Sequence, residues 1–160
     1  MAHPPVIAPP RDGRQSDMAL ALQRGVGRLL RAHGHAVVSE FALPSGRRAD
    51  IVALGPTGEI LIVEIKSSIA DFRADHKWLD YAPFCDRLYF ASHAGVPAEI
   101  FPREAGLILA DAYGGEILRE PPPRTPLSAA RRKTMLLHFG QLAARRLQRL
   151  FDPEAGFSDP

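Results

Sequence analysis

Three ionisable residues of this chain fall in or beside strands that should be buried. The stretch from Ile60 to Ser68, "ILIVEIKSS", opens with four aliphatic residues and then carries Glu64 and Lys66. Side chains alternate along a strand, so Ile60, Ile62, Glu64 and Lys66 share one face while Leu61, Val63 and Ile65 share the other. Upstream, "RRADIVAL" places Asp50, Val52 and Leu54 on one face. Folding that segment back over the turn between Leu54 and Glu59 pairs residues whose numbers sum to 113, or to 114 with a bulge, which sets Asp50 opposite Val63 or Glu64. Two carboxylates brought together repel and lose water, and both effects raise carboxyl pKa values unless a divalent cation neutralises the pair. Mg²⁺ is the natural occupant, with Mn²⁺ as substitute. It prefers oxygen ligands and keeps several waters while taking one or two carboxylates and a substrate phosphate. A lysine two residues from a metal ligand can orient the attacking water or hold developing negative charge. Together these parts suit phosphodiester hydrolysis.

The elements that must position them follow from period and punctuation. Ser16 is an N-cap for "DMALALQRGVGRLLRAHG", a helix that carries Leu22, Val26, Leu29 and His33 at helical spacing and ends at Gly34. "HAVVSEFAL", "RRADIVAL" and "EILIVEIK" are separated by Pro-Ser-Gly and Gly-Pro-Thr-Gly turns and read as a three-strand meander. "SSIADFRADHKWLDYAP" reads as a second helix, started by the Ser68-x-x-Asp71 pattern and closed by Pro83. "DRLYFAS" is a fourth strand, and "GLILADA" and "GEILRE" form a later hairpin. The expected organisation is a disordered leader over 1–16, an α/β domain over 17–120, a Pro-rich break at 121–126, a basic amphipathic helix over 127–151 packed on the domain, and a flexible tail at 152–160. That last helix sets Leu136, Phe139, Ala143, Leu147 and Leu150 on one side and Arg131, His138, Arg145 and Arg149 on another. The fold class is α/β, a mixed sheet with helices on its faces.

Asp50 followed by Glu64-x-Lys66, in a helix-strand-strand-strand-helix-strand order, resembles the PD-(D/E)XK nuclease superfamily, the restriction-endonuclease-like fold. More narrowly, "SGRRADIVAL", "VEIKSSIADFRADHKWLDY" and "CDRLYFA" are similar to the MmcB family of bacterial DNA repair proteins through most of the chain. The resemblance implies an α-β-β-β-α-β core with a C-terminal hairpin and helix appended, DNA as substrate or partner, and a role in handling DNA damage. It carries Asp50 and Glu64 over as metal ligands and Lys66 as the catalytic lysine. Ala49 stands where the superfamily's label has Pro. The first helix lacks the acid that many members place there, which makes Glu40 the candidate for a further ligand, against a salt bridge from Glu40 to Arg47 or Arg48. Superfamily members often act as dimers, so a homodimer is also expected by resemblance, as are contacts with other repair proteins.

Composition bounds the rest. The chain has 160 residues, 46% hydrophobic and 24% charged, which suits one globular domain. No apolar run is long enough to span a membrane, and the first residues lack the form of a secretory signal, so a cytoplasmic location is expected. The lone Cys85 cannot form an internal disulfide, and no Cys/His spacing resembles a zinc site. Net charge is only +2, so nucleic-acid contact must come from local clusters. Arg47, Arg48, Lys77, Arg145 and Arg149 are the candidates for phosphate contact, each with a competing role as counter-ion or solvated charge. Trp78 and Tyr81 read as core aromatics rather than stacking platforms, and His33 and His76 as packing or surface residues. Four readings stay open on these residues: a DNA nuclease, a DNA-binding scaffold that keeps the architecture, an RNA-processing enzyme, and an interaction module built on the last helix.

Overall fold

The computed structural model describes residues 16–156. The expected leader, apart from Ser16, and the last four residues of the expected tail lie outside the described residues. Six strands form one sheet in sequence order: β1 (Ala36–Ala42), β2 (Arg48–Leu54), β3 (Ile60–Ile65), β4 (Arg87–Ser92), β5 (Gly106–Ala110) and β6 (Gly115–Arg119). β1, β2 and β3 are antiparallel neighbours, β3, β4 and β5 run parallel, and β6 returns antiparallel on β5. The protein is therefore a mixed α/β fold, and every strand expected from the sequence is present.

Helix α1 (Asp17–Ala32) covers one face. Ser16 caps it by accepting from the Ala19 N–H at 3.1 Å. Its Leu22, Val26 and Leu30 pack on Ile51, Ala53, Leu61, Val63 and Ile108, the odd-numbered residues of β2 and β3 among them. The other face is covered by α3 (Ala129–Phe151), whose Met135, Phe139 and Leu142 pack over Val52, Ile60, Ile62 and Leu88. Farther along that face, Phe90 lies under Phe72, Trp78 and Phe101. Trp78 and the buried Tyr81 are core residues, as expected.

Two elements differ from the sequence reading. The second helix stops after six residues: α2 spans Ile69–Ala74, Asp75 caps it in extended conformation, and Trp78–Phe84 forms a separate 3₁₀ segment. Lys77 therefore lies in the connection and not on a helix. The break has a tertiary cause, because Asp75 leaves the helix to pair with Lys66. The last helix is rotated relative to expectation. Leu147 and Leu150 are exposed, whereas Arg132 and Arg146 turn inward to hold Asp86 and the backbone of β1. Residues 153–155 of the expected tail form a 3₁₀ turn.

Candidate active site

The site lies where the β2–β3 ladder ends. Leu54 pairs with Ile60 and Ile51 with Val63, so opposed residues sum to 114 and Asp50 and Glu64 come next in register. The ladder does not continue through them. Instead the Asp50 N–H donates to Glu64 Oε1 at 3.1 Å, and the Ile65 N–H donates to Asp50 Oδ2 at 2.8 Å. Each carboxylate replaces a carbonyl of the ladder with one oxygen and leaves its second oxygen without such a bond. Antiparallel register thus gathers the two acids, and no bulge is needed.

Compensation for their charge is thin. Burial, opposed by the Ile65 N–H and reinforced by Glu40, pushes the Asp50 carboxyl up to about 6. Burial first, and the charge of Asp50 next, push Glu64 well above the usual carboxylate range. Burial alone would lower the Lys66 ammonium, but the hydrogen bond and charge of Asp75, followed by Glu64, leave it raised. Lys66 is buried, and its Nζ lies 2.7 Å from Asp75 Oδ2. Asp75 Oδ1 accepts from the Lys77 N–H at 2.9 Å, which fixes the carboxylate under the ammonium. β4 holds the backbone here: the Lys66 N–H donates to the Ala91 carbonyl at 2.9 Å, and the Ser92 hydroxyl donates to the Lys66 carbonyl at 2.7 Å.

Glu40 is close to this pair but turned to other partners. Its φ of 50° is left-handed, a conformation uncommon for a residue with a Cβ and recurrent at functional sites. The kink breaks the alternation of β1, so Val38 and Phe41, three apart, both pack under α3. Glu40 Oε2 meets Arg48 Nε at 2.7 Å and its Oε1 accepts from Gln23 Nε2 at 3.3 Å. The salt bridge to Arg48 weighed in the sequence is therefore present. Among the described residues no three His, Cys, Asp or Glu side chains gather closely enough to hold a metal, so Glu40 does not complete a triad with Asp50 and Glu64. The donor set that fits a cation is the carboxylate pair alone, which suits an ion that retains most of its waters.

The structure places the basic candidates unevenly. Arg47 pairs with Asp80 at 2.7 Å, Arg48 with Glu40, and Arg149 is only half-buried along the helix flank. Lys77 and Arg145 are exposed, Lys77 next to the residue that holds Lys66 and Arg145 on α3. Two residues of the site carry little signal in the sequence. Gln23 is buried on α1 and bonds both Glu40 and the Asp50 carbonyl, at 3.4 Å for the latter. It sits one position from Leu22 and three from Val26, so a polar residue on the apolar side of the helix was the available sign. Asp75 could be found only by noticing that Lys66 requires a partner once buried.

A family model described as "DNA repair protein MmcB-like" matches residues 7–154. The chain belongs to the MmcB-like family. Membership of the MmcB-like family places it among DNA repair proteins. It is similar to the SPO1766 protein of Silicibacter pomeroyi, of unknown function, with 48% sequence identity, a TM-score of 0.84, and coverage of 89% of this chain and 97% of that one. No curated protein matches. No helix among the described residues is long and apolar enough to cross a membrane.

Proposed function

We propose that this MmcB-like protein cleaves DNA phosphodiester bonds with a divalent cation held by Asp50 and Glu64, in the manner of the PD-(D/E)XK superfamily and its restriction-endonuclease-like fold. One observation carries the reading: two buried acids on adjacent strands, each with one oxygen left over and a raised pKa, two residues from a buried lysine. Keeping both buried acids ionised at neutral pH carries a cost that a bound cation would remove. Mg²⁺ or Mn²⁺ at those oxygens would supply a water of lowered pKa and shield phosphate charge. Lys66, kept protonated and aimed by Asp75, sits beside the acids to bear on negative charge developing at the scissile phosphate. Gln23 and Arg48 hold Glu40 back, leaving its charge to bias the site without ligation. Exposed Lys77 is suited to a backbone phosphate near Lys66, and Arg145 to one beyond it.

A second reading has its own support. The Lys66 ammonium is engaged by Asp75, and among the described residues no third acid joins the pair in a group able to hold a metal, as expected of a DNA-binding repair protein that keeps the architecture without cutting. Supercoiled and single-stranded DNA incubated with purified protein, with Mg²⁺ or Mn²⁺ against chelator, decides between them. Nicking that needs metal and falls by about 10²–10³-fold in Lys66→Ala supports cleavage. Binding without metal-dependent nicking in wild type supports the second reading.

A further inference from the structure

Eight large apolar residues are exposed among the described residues, and four of them lie on α3. Leu137, Leu147 and Phe151 are 57%, 54% and 78% exposed. With Gly140 and Ala144, also exposed, they form a row at spacings of three, four, three and four, the spacing of a helix seam that packs on another helix. This row is opposite the Met135, Phe139 and Leu142 side that docks on the sheet, so the helix is apolar along two sides.

Gly140 adds an independent sign. A Cβ built there meets no heavy atom within 4 Å, and its backbone is ordinary helix, so nothing in the protomer requires glycine. Glycine weakens a helix interior relative to alanine, and its use at such a position is explained where another backbone approaches closely. Between the apolar positions the outward side carries Thr134, Gln141 and Gln148, and the whole helix contains no acidic residue. The row is large at its ends and small at its centre.

We infer that α3 is the interface of a homodimer, in which two copies of α3 pack antiparallel about a two-fold axis passing near Ala144. That arrangement sets Leu137 against Phe151 of the second copy and lays Leu147 beside Gly140 and Gln141, large against small. It also brings Lys133 to Asp152 and Glu154 of the second copy, the exposed acids just past the helix. A parallel pair would instead face Lys133 with Lys133 and Phe151 with Phe151. Charge and shape together therefore choose a second copy in the antiparallel sense. The inference is independent of DNA cleavage. The row from Leu137 to Phe151 is about 21 Å long, a small interface, so dissociation in the micromolar range is expected.

Sedimentation equilibrium of the full chain over about 1–200 μM should show a monomer–dimer equilibrium, a range set by that micromolar expectation. Leu147→Glu should weaken it at least about 10-fold, with the circular dichroism and melting curve of the monomer unchanged because Leu147 is solvent-exposed. Gly140→Ala should stabilise the monomer's helix yet weaken the dimer, opposite signs that a purely local role does not produce. Ala144→Cys should cross-link to itself on mild oxidation while Thr134→Cys does not, the native Cys85 being buried. A wild type that stays monomeric throughout, as it would if another protein or residues 1–15 covered this face, overturns the inference. So does a dimer indifferent to Leu147→Glu, or one that cross-links at Thr134→Cys and not at Ala144→Cys.

Discussion

Two acidic clusters at opposite ends of β3 use the same chemical group to opposite ends. At its start, Asp86 accepts from the Ile60 N–H at 2.8 Å, from the Leu127 N–H at 3.2 Å, and from both terminal nitrogens of Arg132 at 2.7 and 2.8 Å. The hydrogen bond from Arg132, offset in part by burial, holds its carboxyl down at about 2. At the far end Asp50 and Glu64 receive one backbone N–H each and are pushed upward. Both clusters tie a strand to its neighbour, and Asp86 also anchors α3 and the Pro-rich break before it. The difference is whether the protein supplies the compensating cation itself. Arg132 does so at one end; at the other, Lys66 is ion-paired to Asp75 and acts on the two carboxyls through its charge without outweighing their burial.

That contrast can be broken by substitution. Asp86→Ala should cost about 3 kcal/mol of unfolding free energy, since it leaves Arg132 and two backbone N–H groups without their acceptor. Denaturant titration checks it, and a loss below about 1 kcal/mol would place the Asp86 knot on the surface energetically. Asp50→Asn and Glu64→Gln should act the other way. Each keeps an oxygen for its N–H while removing a poorly compensated charge, so in chelator at neutral pH each should gain about 1–2 kcal/mol, a rise of about 2–8 °C in Tm. With Mg²⁺ added, wild type should recover that difference and the variants should not.

pH separates the clusters more finely. Asp50 has a raised folded pKa, so its favourable contribution is complete below about pH 4, its unfolded range, and is lost as pH rises through about 6. Asp86 has a depressed one; its contribution is present above about pH 4 and is lost as pH falls through about 2. The stability gap between wild type and Asp50→Asn should therefore widen between about pH 4 and 6 in chelator, and the gap to Asp86→Ala should close only below about pH 4. Identical profiles for the two variants would mean that the ends of β3 do not differ in compensation. The smallest effect expected is at Lys77→Ala, which should lower the salt dependence of DNA binding by about one charge and leave stability unchanged.

Much of this arrangement could be read from the residues, because it rests on periodicity. Alternation in "ILIVEIK" and glycines at the turns predict β2 and β3 and bring Asp50 opposite Val63 or Glu64; the structure takes the register that sums to 114 and sets Asp50 level with Glu64. Gly46 and Gly58, at φ of 84° and 93°, occupy the left-handed positions those turns require. What the pattern could not carry were ties between distant segments. The helix expected from Ser68 to Pro83 is interrupted because Lys66 takes Asp75 out of it, and helical propensity has no knowledge of a lysine at the end of the preceding strand. The docked side of α3 was set by Arg132 and Arg146 reaching polar partners, which a count of apolar residues overlooks. Gln23 reads as ordinary helix filler until the carbonyl of Asp50 lies beside it.

The reach of Arg146 to the carbonyls of Ser39 and Glu40 has a practical consequence. The left-handed turn at Glu40 presents two acceptors in succession toward one guanidinium, and a fragment ending at the prolines would strip both of that donor. Any shortened form of this protein should run past Arg146, and trimming should begin only beyond the end of the helix. The final helix is thus part of the folding unit that carries the acids, even though it contributes none of them.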